Sequence, residues 1–107
     1  MLITADGYFY AGKSHSSIDR MAGILAELPD ITDVIVVPYT DQAPDLSPLG
    51  PRAKMLDDFI ADHPASDIDF VMTGFNDPLY IMYSSGTTGL PKCIVHSVGG
   101  VLMQHLK

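Results

Sequence analysis

The run Val34-Ile35-Val36-Val37 limits what this chain can fold into more than any other stretch. Four consecutive β-branched residues, bounded by Asp33 and Pro38, do not suit a strand with one wet face, because alternate side chains point to opposite sides of a sheet. The run predicts a strand covered on both faces and therefore a layered α/β arrangement. One covering element is written just upstream. From Ser17 the apolar residues Ile18, Met21, Ala22, Leu25 and Leu28 recur at helical spacing, with Ser14 to Ser17 available as N-caps and Pro29 as a stop. Leu2-Ile3-Thr4-Ala5 reads as the end of an earlier short strand, at an opening that looks truncated. Strand, helix, strand predicts a parallel pair joined by a right-handed crossover.

Beyond Val37 the pattern is less regular. Pro38, Pro44, Pro48 and Pro51, mixed with Asp, Ser and Gly, predict a connecting loop rather than core. A shorter helix is expected over Ala53 to Ala61, where Leu56, Phe59 and Ile60 share a face, with His63-Pro64 as its stop. A second loop runs to about Pro78. Leu79-Tyr80-Ile81-Met82-Tyr83 and Cys93-Ile94-Val95-His96 then read as two strands with a Gly-rich segment between them. Gly99-Gly100 precede a helix through Val101, Leu102, His105 and Leu106.

Composition narrows the function classes. A chain of 107 residues has room for one core. Thirteen Asp+Glu against six Lys+Arg give a net charge of -7, which disfavours counterion-driven binding to nucleic acid or to an anionic membrane surface. Any anionic ligand has to be held locally. No apolar run approaches the ~20 residues of a membrane-spanning helix, and one cysteine cannot form an internal disulfide, so the cytoplasm is the expected compartment.

The local anion holder is the segment between the last two strands. Ser84, Ser85, Thr87 and Thr88 are neutral donors, Gly86 and Gly89 let the backbone take φ > 0 so that successive amides can face phosphate oxygens, and Lys92 adds a point charge. Pro91 restricts Leu90 to extended conformations and stiffens the exit. Together these residue types describe a polyphosphate cradle. It is not a Walker loop, because Gly86 is followed at the critical positions by Pro91 and Lys92, then by Cys93 where a hydroxyl would stand.

Tyr83-Ser84-Ser85-Gly86-Thr87-Thr88-Gly89-Leu90-Pro91-Lys92 resembles the phosphate-binding loop of the adenylate-forming superfamily, which holds the acyl- and aryl-CoA synthetases, the luciferases and the adenylation domains of peptide synthetases. Asp6-Gly7-Tyr8-Phe9-Tyr10-Ala11-Gly12-Lys13, Val34 to Pro38, Pro78 to Ile81 and Lys92 to His96 look like the acetoacetyl-CoA synthetase branch. The resemblance is weakest over Asp41 to Gly74. It implies an α/β fold, a partial parallel or mixed sheet with crossover helices, in which residues 1–107 are part of the large N-terminal AMP-binding domain. Residues 84–92 would be the loop that holds the β- and γ-phosphates of ATP, with Ser84, Ser85, Gly86, Thr87, Thr88, Gly89 and Lys92 as contacts. The implied reaction is acetoacetate + ATP + CoA to acetoacetyl-CoA + AMP + diphosphate, with ATP entering with Mg2+. No residue of the chain is assigned as catalytic and none as a metal ligand.

Other chemistry-bearing residues are expected to be structural. His96 closes a strand beside the loop and reads as a hydrogen-bonded strand-end residue. Tyr8 and Tyr10 share a face of an extended segment and read as core or rim packing. Cys93, in an apolar strand, reads as a small buried hydrophobe. Asp57-Asp58 are helix neighbours about 100° apart and read as a solvated face. Three functional readings follow: part of an acid–CoA ligase, a non-catalytic nucleotide-phosphate-binding module, and an inactive fragment. The implied family continues to adenine and ribose sites and a C-terminal domain, so the chain alone is expected not to activate a carboxylate.

Overall fold

The computed structural model describes residues 1–85 and 89–107. They form two compact units, Met1–Ser66 and Asp67–Lys107.

The first unit is built on the valine run. Strand β1 (Leu2–Ala5) is followed by a hairpin of β2 (Gly7–Tyr10) and β3 (Lys13–Ser16), helix α1 (Ile18–Glu27) and strand β4 (Val34–Val37). β4 lies parallel to β1 with Leu2 opposite Val34 and Ala5 opposite Val37, the parallel pair that the strand–helix–strand order predicts. Val34, Ile35 and Val36 are all buried, so the strand is covered on both faces. Val34 and Val36 pack with Ile18 and Leu25 of α1 and with Leu49, while Ile35 points to the opposite side. Of the stripe read from the sequence, Ile18, Met21, Ala22 and Leu25 face this core, whereas Leu28 lies past the end of α1 and is exposed.

Three details depart from the sequence expectations. Ser14 and Ser16 lie in β3, and Ser17, at the N-cap position of α1, makes no side-chain cap; the Ser16 hydroxyl accepts the Ile18 amide at 3.2 Å instead. The proline-rich connection is not wholly outside the core. It contains a 3-10 turn at Ser47–Leu49, started by Asp45, whose carboxylate accepts the amide and hydroxyl of Ser47, and Leu49 is buried against α1 and β4. The helix expected from Ala53 begins only at Leu56: Ala53–Met55 is strand β5, parallel to the other edge of β4, and α2 (Leu56–Ile60) follows directly. Ladder bonds to β4 outweigh the high helix propensity of Ala-Lys-Met. The sheet order is β1-β4-β5.

Two polar side chains tie this unit together. Asp6, only 3% exposed, follows β1 and receives the amides of Tyr39, Thr40 and Asp41 and the hydroxyl of Thr40, fixing the exit of β4. Burial alone would raise its pKa, but the Thr40 hydroxyl and then the three amides outweigh it and bring the carboxyl from 3.8 to about 2. Arg52 donates to the carbonyls of Ile31 at 2.8 Å and Leu25 at 3.0 Å, putting a cation at the C-terminal end of α1, whose own last turn has none.

The second unit contains β6 (Pro78–Ser84), β7 (Lys92–Ser97) and α3 (Val98–His105). β6 and β7 pair antiparallel as a two-stranded sheet. α3 starts before the glycines rather than after them. Ser97 is its N-cap and accepts the Gly100 amide at 3.2 Å, so Gly99 and Gly100 sit inside the first turn. The turn at Gly74–Asp77 docks there: Phe75 and Asp77 carbonyls accept the amides of Gly99 and Val98 at 2.8 and 2.9 Å. Among the described residues no helix is long and apolar enough to cross a membrane.

Candidate functional site

The Gly-rich segment is delivered by the β6–β7 hairpin. Aromatic and β-branched residues on both strands favour extended pairing, and the register runs Tyr80 to His96, Ile81 to Val95, Met82 to Ile94, Tyr83 to Cys93 and Ser84 to Lys92. Leu79 is left as an irregularity between Pro78 and Tyr80, at the end of the ladder far from the loop. Directly opposite residues of an antiparallel pair lie on one face, so Ser84 and Lys92 close the ladder side by side. The two ends of the segment are therefore held by strand pairing rather than by the loop itself.

Of the seven residues singled out from the sequence, four fall where the structure is described. Ser84 is half-buried, while Ser85, Gly89 and Lys92 are exposed. Gly89 has φ +98, which L side chains rarely adopt, so a glycine is required there. Gly86, Thr87 and Thr88 lie outside the described residues. Ser84 and Lys92 thus stand opposite each other at the end of the ladder, and Gly89, which needs to be glycine, lies between them in sequence. Of the residues 84–92 expected as the loop, Ser84 belongs to β6 and Lys92 to β7.

The other chemistry-bearing residues are partly structural and partly exposed. His96 pairs with Tyr80 across the ladder, ring centroids 5.1 Å apart, which fits a structural strand-end histidine. Cys93 is exposed, not buried, because it shares an open face of the two-stranded sheet with Tyr83. Asp57 and Asp58 are exposed in the first turn of α2. Tyr8 and Tyr10 flank His15 on one face of the first unit's hairpin at 5.2 and 6.5 Å, and both are substantially exposed, so they are rim rather than core.

The first unit also has an open cavity of about 460 Å³ that no local sequence pattern marks, since its walls come from three separate segments. Asp6, Ser14, Ser16, Asp19, Asp41 and Asp45 line it. Its charged lining residues are all Asp, a setting hostile to phosphate. Among the described residues no group of three or more His, Cys, Asp or Glu side chains is arranged to hold a metal ion.

Comparison with known proteins bears on the loop and its framework together. The family model described as AMP-binding enzyme matches residues 1–107. An acetoacetyl-CoA synthetase of Macaca fascicularis is 42% identical over 112 residues, and a malonamoyl-CoA synthetase of Penicillium aethiopicum is 39% identical over 112 residues; each alignment takes in 100% of this chain and 16% of the relative. The solved structure of acetoacetyl-CoA synthetase from Streptomyces lividans superposes with a TM-score of 0.76 at 39% identity, over 99% of this chain and 15% of that one. The chain therefore spans a small part of the length of these relatives. With the family model matching all 107 residues and a fold shared at this identity, the chain belongs to the AMP-binding enzyme family.

Proposed function

We propose that residues 84–92 grip the β- and γ-phosphates of ATP, entering with Mg2+, in an AMP-forming acid–CoA ligase whose acid is acetoacetate and which acts in the cytoplasm. The observation that carries this reading is the register that sets Ser84 opposite Lys92 at the closed end of the hairpin. That register puts the one cation of the segment, Lys92, beside a hydroxyl residue, Ser84, in a chain of net charge -7, which supports a local anion grip. In the reaction a carboxylate oxygen attacks the α-phosphorus, the bond from that phosphorus to the α,β-bridging oxygen breaks, and diphosphate leaves with the electron pair. The CoA thiol then attacks the acyl carbon, loses its proton and displaces AMP. The loop's part is to keep the departing diphosphate in line and to offset its growing charge, which is positioning and electrostatics without a protein nucleophile.

Acetoacetate as the acid rests on the resemblance of residues 6–13 and 92–96 and on the relatives' names, one of which is a malonamoyl enzyme. The test is a graft. This chain replaces the matched segment of the Streptomyces lividans synthetase, and diphosphate release is followed with acetoacetate, malonamate and acetate in turn. We expect preference for acetoacetate, and a loss of about 10²-fold or more in kcat/KM on Lys92→Ala. A folded graft that prefers either other acid overturns the acid assignment, and one indifferent to Lys92→Ala overturns the phosphate grip. Residues 1–107 by themselves, spanning 16% of the relatives' length, should give carboxylate-dependent ATP–diphosphate exchange at background level; exchange that vanishes in Lys92→Ala would make them a minimal adenylating unit.

A further inference from the structure

No further inference is drawn: the strongest candidate, the carboxylate-lined cavity between the Asp6 turn and the start of α1, is a cluster of acidic side chains whose one buried member, Asp6, is already engaged by Thr40 and the 39–41 amides, and nothing in the structure points to a ligand there.

Discussion

Val34–Val37 and Leu79–Tyr83 are both unbroken runs of strand-forming residues, and both become strands, yet Val34 to Val36 are at most 1% exposed while Leu79 to Tyr83 range from 42% to 69%. Backbone preference is the same in kind; what differs is the company each strand keeps within its own unit. β4 has a parallel neighbour on each edge, and an apolar stripe of α1 and Leu49 cover one face. β6 has one antiparallel neighbour, and its side chains from Leu79 to Tyr83 stay exposed. A two-stranded ladder gains cross-strand contacts but little burial. The first unit is a packed frame, and the second presents a loop.

The largest effect should follow from opening the packed side of this contrast. Leu25→Ala removes a side chain that is 2% exposed and wedged against β4, and we expect a loss of about 3 kcal/mol in urea unfolding followed at the Val34 to Val36 amides. A loss below about 1 kcal/mol would mean that the core is looser than its burial implies.

A second effect concerns the carboxylate that pins the exit of β4. The folded pKa of Asp6, about 2, lies below its ordinary value of 3.8, so its contribution is in full force above pH 4 and is lost as the pH falls from about 4 through 2. A shift of this size corresponds to about 2 kcal/mol. Acid titration of the first unit's stability should show that fall in the native sequence and not in Asp6→Asn, which has no carboxyl to titrate. Parallel acid profiles for the two would contradict the role assigned to Asp6.

The smallest effect is expected on the open side. Ile81→Ala, at a residue 56% exposed, should change stability by no more than about 0.5 kcal/mol in the same denaturant series. A cost matching that of Leu25→Ala would show Ile81 to be covered in solution and would erase the contrast between the two strands.

Sequence reading succeeded where one periodicity dominates. The α1 stripe, the Val34 run and the two strands around the Gly-rich segment each announce themselves through side-chain spacing. It failed where a tertiary partner decides. Ala53–Met55 has no strand signature and becomes β5 only because β4 offers it an open edge. Leu49 is one apolar residue in a proline-rich stretch, and nothing local marks it as core. The β2–β3 hairpin went unanticipated because its two-residue turn is Ala11-Gly12 with φ 50 and 74; glycine tolerates that geometry, but alanine at the first position is no hairpin signal. The candidate site was legible for the opposite reason. Its chemistry is concentrated in one contiguous segment, whereas the cavity beside Asp6 is assembled from residues up to Pro48 and leaves no local pattern.

The phosphate grip of residues 84–92 is tested most directly by titrating the chain with inorganic diphosphate at low salt while following backbone amide signals. We predict shifts concentrated at Ser84, Ser85, Gly89 and Lys92, saturating with a Kd of roughly millimolar, since one cation and a few neutral donors must hold a highly charged anion on an acidic chain. Lys92→Ala should weaken that binding several-fold and leave the β6–β7 ladder signals in place. Shifts that gather elsewhere, or an affinity that Lys92→Ala does not change in a variant whose ladder is intact, would contradict the assignment of this loop as the ATP phosphate site.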